Sequence, residues 1–229
     1  MIEKIMIDID DTILDFHLSE SIAIRKTLSS FGINVTDEVV ATYSAINKSQ
    51  WEALERGEIT REILLPRRFE LLFERYGMSI SGMDAQKRYE VALGKESHYL
   101  AGAEDMLKEL CERYELYAAS NGTTVVQRPR IESAGLKKYF KEIFISEEIG
   151  FNKPSPQFFE ACFVKMGAPV REKVMIFGDS LTSDILGGIN AGIRTCHYSP
   201  KGKVNYEGIV PDYSVTTHEE FLHLLPTII

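Results

Sequence analysis

The 229-residue sequence contains no apolar run near the roughly 18–20 residues that span a bilayer, and no early basic stretch followed by an apolar one. The expectation is a cytoplasmic chain with no membrane partner. Cysteine is scarce. Cys111, Cys162 and Cys196 are odd in number and far apart, which fits neither a disulfide framework nor a paired zinc-ligand spacing. Positive charge is also short: 26 Lys+Arg face 34 Asp+Glu, a formal net charge of −8. Without a long basic run, such a chain is a poor partner for nucleic acid. Small anionic substrates stay open if a local site supplies positive charge. Of five histidines only His218 and His223 are close in sequence, and with no further ligands nearby they read as a solvated helix face rather than a metal site.

What is present is ordinary globular material: 44% hydrophobic, 26% charged and 10% aromatic residues, enough for a real core in one generous domain or two small ones. Ile5 to Ile9 reads as a short buried strand. From about residue 17 to 99 the pattern is helical. One helix lies around Ser21–Leu28 before Gly32, and a second runs from Thr36 to about Arg56 before Gly57. A third is capped by Thr60 and ends at Gly77; a fourth covers Gly82–Leu93. Pro66 falls inside the third, which predicts a kink or a later start.

After Gly102 short apolar strands alternate with helices. Strands are expected at Leu116–Ala119, Phe140–Ile145, Val174–Phe177 and near Arg194–His197. Helices are expected at Ala103–Arg113, Val125–Ser133, Ser155–Met166, after Ser183 and from His218. That rhythm predicts an α/β fold: a Rossmann-like, doubly wound parallel sheet, with the helical stretch inserted after the first strand.

In open α/β sheets ligands bind beyond the carboxyl ends of the strands, and the chemically suggestive residues fall there. "MIDIDDTIL" supplies Asp8, Asp10 and Thr12; "LYAASNG" supplies Ser120, Asn121 and Gly122; "FNKPSPQFF" supplies Lys153; "VMIFGDSLTSDILGG" supplies Asp179 and Asp184. Singly, each has a plainer reading. The first acids could cap a helix, Ser120–Gly122 could be a turn, Lys153 a surface lysine and Asp184 a cap. Asp11 reads as solvent-exposed and Asp15 as a cap for the first inserted helix. Together they form one rim. Converging carboxylates repel unless a cation neutralises them, and oxygen-only ligands suit Mg²⁺, with Mn²⁺ accepted by the same donors. A lysine, a hydroxyl and loop N–H groups can hold phosphate oxygens, and a carboxylate can attack phosphorus.

These four segments, in this order, resemble the motifs of the haloacid dehalogenase-like (HAD) superfamily, in its phosphatase branch. The resemblance implies Asp8 as nucleophile and Asp10 as general acid, then base, with Thr12 in support. It implies Ser120, Asn121 and Lys153 around the phosphoryl group. Mg²⁺ would be held by Asp8, the Asp10 backbone carbonyl, Asp179 and Asp184. Dehalogenases lack the second acid of the first motif, so Asp10 argues against that chemistry. The inserted helices resemble a type 1 cap over residues 16–99, which leaves 1–15 and 100–229 as the core domain. The 33 positions separating Ser120 from Lys153 leave no room for a second cap.

"DIDDTILDF", "QWEALERGEIT" and "GDSLTSDILGG" further resemble the YjjG-like subgroup of pyrimidine 5′-nucleotidases. The implied partner is a small phosphorylated metabolite, a nucleoside monophosphate, for a monomer or dimer. A sugar-phosphate phosphatase or phosphomutase is the alternative, and a non-catalytic phosphometabolite sensor the remote one. The segment "TTVVQRPRIESAGL", with Pro129 between two arginines, departs from the subgroup pattern. Phe16 and His17 leave the first motif towards the cap; Trp51 reads as helix packing before base stacking, and Arg67 and Arg68 as facing water.

Overall fold

The computed structural model describes residues 1–202 and 208–228. Strand β1 (Lys4–Ile7) is followed, without another strand, by helices α1 (Phe16–Ser29), α2 (Asp37–Glu55), α3 (Arg61–Arg75) and α4 (Gly82–Leu93). Then come α5 (Ala103–Leu110), β2 (Glu115–Ser120), α6 (Thr124–Ser133), β3 (Glu142–Ile145), α7 (Ser146–Ile149), α8 (Pro156–Lys165) and β4 (Val174–Gly178). A wide π-type turn at Leu181–Ile185 leads into α9 (Leu186–Ala191), β5 (Arg194–Tyr198), β6 (Tyr213–Val215) and α10 (His218–Leu224).

The strands form one sheet in the order β3-β2-β1-β4-β5-β6, every pairing parallel. The fold is therefore the α/β, Rossmann-like architecture expected. Side chains alternate across the pleat. Ile5, Ile7, Ala118, Met175 and Phe177 face a layer that includes Met106 and Leu107 of α5 and Phe221 of α10. Met6, Ala119 and Ile176 face Phe158, Phe159 and Cys162 of α8. With both faces covered, the central strands must be apolar throughout, which is why they read as runs rather than alternations. The three-residue edge strand β6 has no sequence signature, because so short a segment carries no period.

Helices α1–α4 share a separate core built on Ile24, Leu28, Tyr43, Phe69, Phe73 and Tyr89. Tyr43 lies 5.1 Å from Phe69 and 5.5 Å from Tyr89, centroid to centroid. Asp15 and Thr36 cap α1 and α2, accepting from the N–H groups of Leu18 and Val39. Pro66 does not delay α3, which starts at Arg61. One and a half turns in, its missing N–H forfeits only a bond to the Glu62 carbonyl. The chain leaves and returns to the sheet side by side: Asp15 N–H donates to His98 O (2.8 Å) and Leu100 N–H to Ile13 O (2.9 Å).

Candidate active site

The strand order reverses at the β1/β4 neighbour pair, where an open α/β sheet presents a crevice at its carboxyl edge. Asp8 is the first residue beyond β1, and its N–H continues the ladder to Phe177 O at 2.9 Å. Lys153, on the loop after α7, points back under this edge. Its Nζ donates to Asp8 Oδ1 (2.6 Å), Asp184 Oδ1 (2.6 Å) and Ala119 O (2.5 Å). The side chain is 1% exposed, so the surface reading of Lys153 fails.

Asp184 reaches the lysine from the π-type turn, and its Oδ2 accepts the Ser180 N–H at 3.1 Å. Gly178 makes room for it: a Cβ there would lie 2.3 Å from Asp184 Oδ2. Asp179, beyond β4, is fixed to the first loop. Its N–H donates to Thr12 Oγ1 (3.0 Å), which donates in turn to its Oδ1 (3.2 Å). His197 Nε2 hydrogen-bonds the Asp179 carbonyl at 2.9 Å.

Carboxylate oxygens of Asp8, Asp179 and Asp184 lie within 4.8 Å of one another, against one ammonium. Burial pushes the Asp8 carboxyl up to about 8; Lys153 pulls it down, while Asp184 and Asp10 push it further up. Burial likewise raises Asp179 well above the carboxylate range, aided by Asp8 and Asp184. For Lys153 burial works against the charge, but Asp184 and Asp8 outweigh it and hold the ammonium above its ordinary value. An excess of buried negative oxygen in an all-oxygen set fits a hard divalent cation.

The other expected residues take distinct places. The Asp10 carboxylate turns to α6, where Gln127 Nε2 donates to Oδ2 (2.8 Å) and Arg130 Nη1 to Oδ1 (2.5 Å). Ser120 Oγ accepts from Gly122 N–H (3.1 Å) and Gln127 Nε2 (2.5 Å). Asn121 spends its side-chain amide on the Lys153 backbone, donating to its carbonyl (2.9 Å) and accepting its N–H (2.8 Å). Its side chain aligns the lysine loop, and any phosphate contact from this position falls to the backbone.

Above the carboxylates lies a cavity of about 180 Å³ whose walls include Phe16, Trp51, Glu55, Leu65, Arg68 and Tyr89 from the helical insertion. Trp51, expected as packing, is a cavity wall. Arg68, expected to face water, is 3% exposed: Asn47 and Gln86 accept from it at 2.6 and 2.7 Å, and its guanidinium lies 4.9 Å from the Tyr89 ring centroid. Arg67 does remain half-exposed, beside Glu70. Asp11 is not free in solvent but accepts the N–H groups of Phe16 and His17 at the start of α1. His218 is buried rather than solvated, its ring nitrogens 2.7 Å from Thr12 O and 3.0 Å from Ala101 O. His223 is exposed.

Two residues near the site receive no role from the sequence: Arg61, and Glu55 within "QWEALERGEIT". Arg61, at the start of α3, donates from Nη2 to Asn121 O (3.1 Å), Ser146 Oγ (2.6 Å) and Asn152 Oδ1. Glu55, at the end of α2, accepts from Thr182 Oγ1 at 2.8 Å, and burial pushes its carboxyl up to about 7. Both tie the helical insertion to loops of the sheet edge. Each sits at a helix end with an ordinary surface look, so only the tertiary approach makes its contacts visible.

The family model for haloacid dehalogenase-like hydrolases matches residues 2–192. The pyrimidine 5′-nucleotidase PynA of Streptococcus pneumoniae is 36% identical, over 96% of this chain and 94% of that protein. The pyrimidine 5′-nucleotidase YjjG of Escherichia coli is 31% identical, over 96% of each. Among solved structures, the magnesium-bound HAD-hydrolase YfnB of Bacillus subtilis, described as revealing interdomain movement, superposes with a TM-score of 0.94 at 36% identity, covering 98% of both chains.

Proposed function

The chain belongs to the haloacid dehalogenase-like hydrolases, and from that membership we propose a Mg²⁺-dependent phosphomonoesterase that acts as a 5′-nucleotidase on pyrimidine nucleoside monophosphates. One observation carries the chemistry: Lys153 lies between Asp8 and Asp184 at 2.6 Å from each, with Asp179 completing a three-carboxylate cluster at the sheet's switch point. The substrate class rests on the two nucleotidases that align over almost the whole chain.

Asp8 Oδ attacks phosphorus, the bond to the ester oxygen breaks, and that oxygen takes a proton from Asp10. The nucleoside leaves. A water then gives its proton back to Asp10 as its oxygen attacks the aspartyl-phosphate; the acyl-phosphate bond breaks, restoring Asp8 and releasing inorganic phosphate. Lys153 and Ser120 bind the phosphoryl oxygens, and Asn121 aligns the lysine loop. Asp8, Asp179, Asp184 and the Asp10 carbonyl would hold Mg²⁺, which would offset the phosphoryl charge; Mn²⁺ fits the same donors. Residues 16–99 serve as the cap, walling the cavity from water with Phe16, Trp51 and Leu65, while 1–15 and 100–229 form the core domain.

The test is phosphate release with Mg²⁺ from UMP, dUMP, dTMP, purine nucleotides and hexose phosphates, with Asp8→Asn beside the wild type. Selective turnover of the pyrimidine nucleotides, absent in Asp8→Asn, is the expected result. Turnover of hexose phosphates alone would overturn the substrate, and silence across the panel would overturn the enzyme.

A further inference from the structure

We propose that Arg130 and Gln127 of α6 are positioning residues for Asp10, fixing its carboxylate for the water-attack half of the reaction; this rests on the phosphatase reading above. Residues three apart on a helix share a face, and here both reach the same acid. Arg130 Nη1 binds Asp10 Oδ1 and Gln127 Nε2 binds Oδ2 (2.8 Å), so both oxygens are fixed from one element. The two donors also hold each other, with Arg130 Nη1 donating to Gln127 Oε1 at 2.8 Å.

The pair is tied to the rest of the machinery on two sides. Gln127 Nε2 also reaches Ser120 Oγ, which links Asp10 to the residue beside the phosphoryl group. Arg130 Nε donates to the Glu96 carbonyl at 2.9 Å, at the start of the segment that carries the chain back from the helical insertion. The Asp10 carboxylate therefore answers to the end of β2 through the Gln127 amide and to the cap junction through the Arg130 guanidinium.

Arg130 is not where a helix facing solvent would keep an arginine. Its side chain is 1% exposed, and its Nη2 has no partner among the described residues. A buried donor without an acceptor is a stability cost, so packing alone does not explain the residue. Orientation of the acid does. Asp10 sits two residues from Asp8 on a tight loop, and only a carboxylate held in one plane can take a proton from a water in line with the Asp8–phosphorus bond.

The experiment uses p-nitrophenyl phosphate, whose leaving group departs without a proton, and UMP, with the wild type, Arg130→Gln, Arg130→Lys and Gln127→Ala. Pre-steady-state release of p-nitrophenolate separates the two halves of the reaction. The inference expects Arg130→Gln to release about one equivalent per enzyme in a burst, then turn over roughly 10–100-fold more slowly than wild type, with KM changed less than about threefold. Gln127→Ala should show the same burst with a smaller slowing. Arg130→Lys should recover part of the rate, because an ammonium can reach Oδ1 but not Glu96 O as well. Should Arg130→Gln fail to fold, the Lys and Gln127→Ala variants decide.

Steady-state rates near wild type without a burst would overturn the inference. So would a loss expressed in KM alone, which makes Arg130 a substrate contact, or an equal loss on both esters without a burst, which makes it a packing residue. A wild type that hydrolyses neither ester removes the phosphatase reading itself and this inference with it.

Discussion

The Thr12 hydroxyl accepts the Asp179 N–H at 3.0 Å and donates to the Asp179 carboxylate at 3.2 Å, a reciprocal pair that locks the loop after β1 to the loop after β4. Thr12 is fully buried, so its replacement by an isosteric valine leaves an N–H and a carboxylate oxygen unsatisfied. Thr12→Val is expected to lose about 1–3 kcal/mol of stability in urea unfolding and to weaken Mg²⁺ binding, whereas Thr12→Ser keeps both. Equal behaviour of the two variants would contradict the pairing.

The carboxylate cluster couples metal binding to pH. In the metal-free protein burial holds the Asp8 carboxyl at about 8, against about 3.9 for an unfolded aspartate. A folded-state value above the unfolded one gives stability that is full below about pH 4 and is lost as pH rises towards 8. On the proposed reading, Mg²⁺ would offset that loss by binding the ionised cluster. At a hundredfold excess over Kd, Mg²⁺ should raise Tm at pH 8 by roughly 5–10 °C. The shift should be smaller at pH 5.5, where protons compete, and absent in Asp179→Asn. Differential scanning calorimetry with and without chelator reads this directly; a shift larger at pH 5.5 would contradict it.

Gly178 is the close-approach position behind Asp184. A methyl group there would fall 2.3 Å from the Asp184 carboxylate and push it off Lys153. Displacing a catalytic group by about 1 Å costs on the order of 10²-fold in rate. Gly178→Ala is thus expected to fold but to lose about that much of kcat; near wild-type kcat in a phosphate-release assay would show that Asp184 need not sit where it does.

Arg61 joins the insertion to Asn121, Ser146 and Asn152 of the sheet edge. On the proposed cap role of residues 16–99, closure over the site would use these bonds, so Arg61→Ala should leave the helical core intact and raise KM for the nucleotide about tenfold. An unchanged KM would mean that the latch is incidental.

The site's framework is legible in sequence where the signal is local. An apolar run broken by Asp8, by Ser120 or by Gly178–Asp179 marks a strand's carboxyl end, and the parallel order then brings these ends together. The capping role of Asp15 and the stops near Gly32, Gly57 and Gly77 are equally local. Arg68, Arg130 and His218 are not. Each is a polar residue on a helix whose neighbours in sequence look solvated, and each is buried by an element far away in the chain: Arg68 by Asn47 and Gln86, Arg130 by Asp10 and Glu96, His218 by Thr12 and Ala101. Helical periodicity reports which face is apolar, and a polar side chain buried by distant partners does not register there. Asn121 shows the same limit on a smaller scale, since its two bonds to the Lys153 backbone depend on a loop 32 positions on.

The account's central claim is that Asp8 carries the phosphoryl group. The direct measurement is on Asp10→Asn, in which the acyl-phosphate should form from p-nitrophenyl phosphate with Mg²⁺ but not be cleaved by water. After acid quench and borohydride reduction, which converts an aspartyl-phosphate to homoserine, peptide mass spectrometry should find homoserine at position 8. Unmodified Asp8 in that variant, while the wild type hydrolyses the same ester, would contradict the claim.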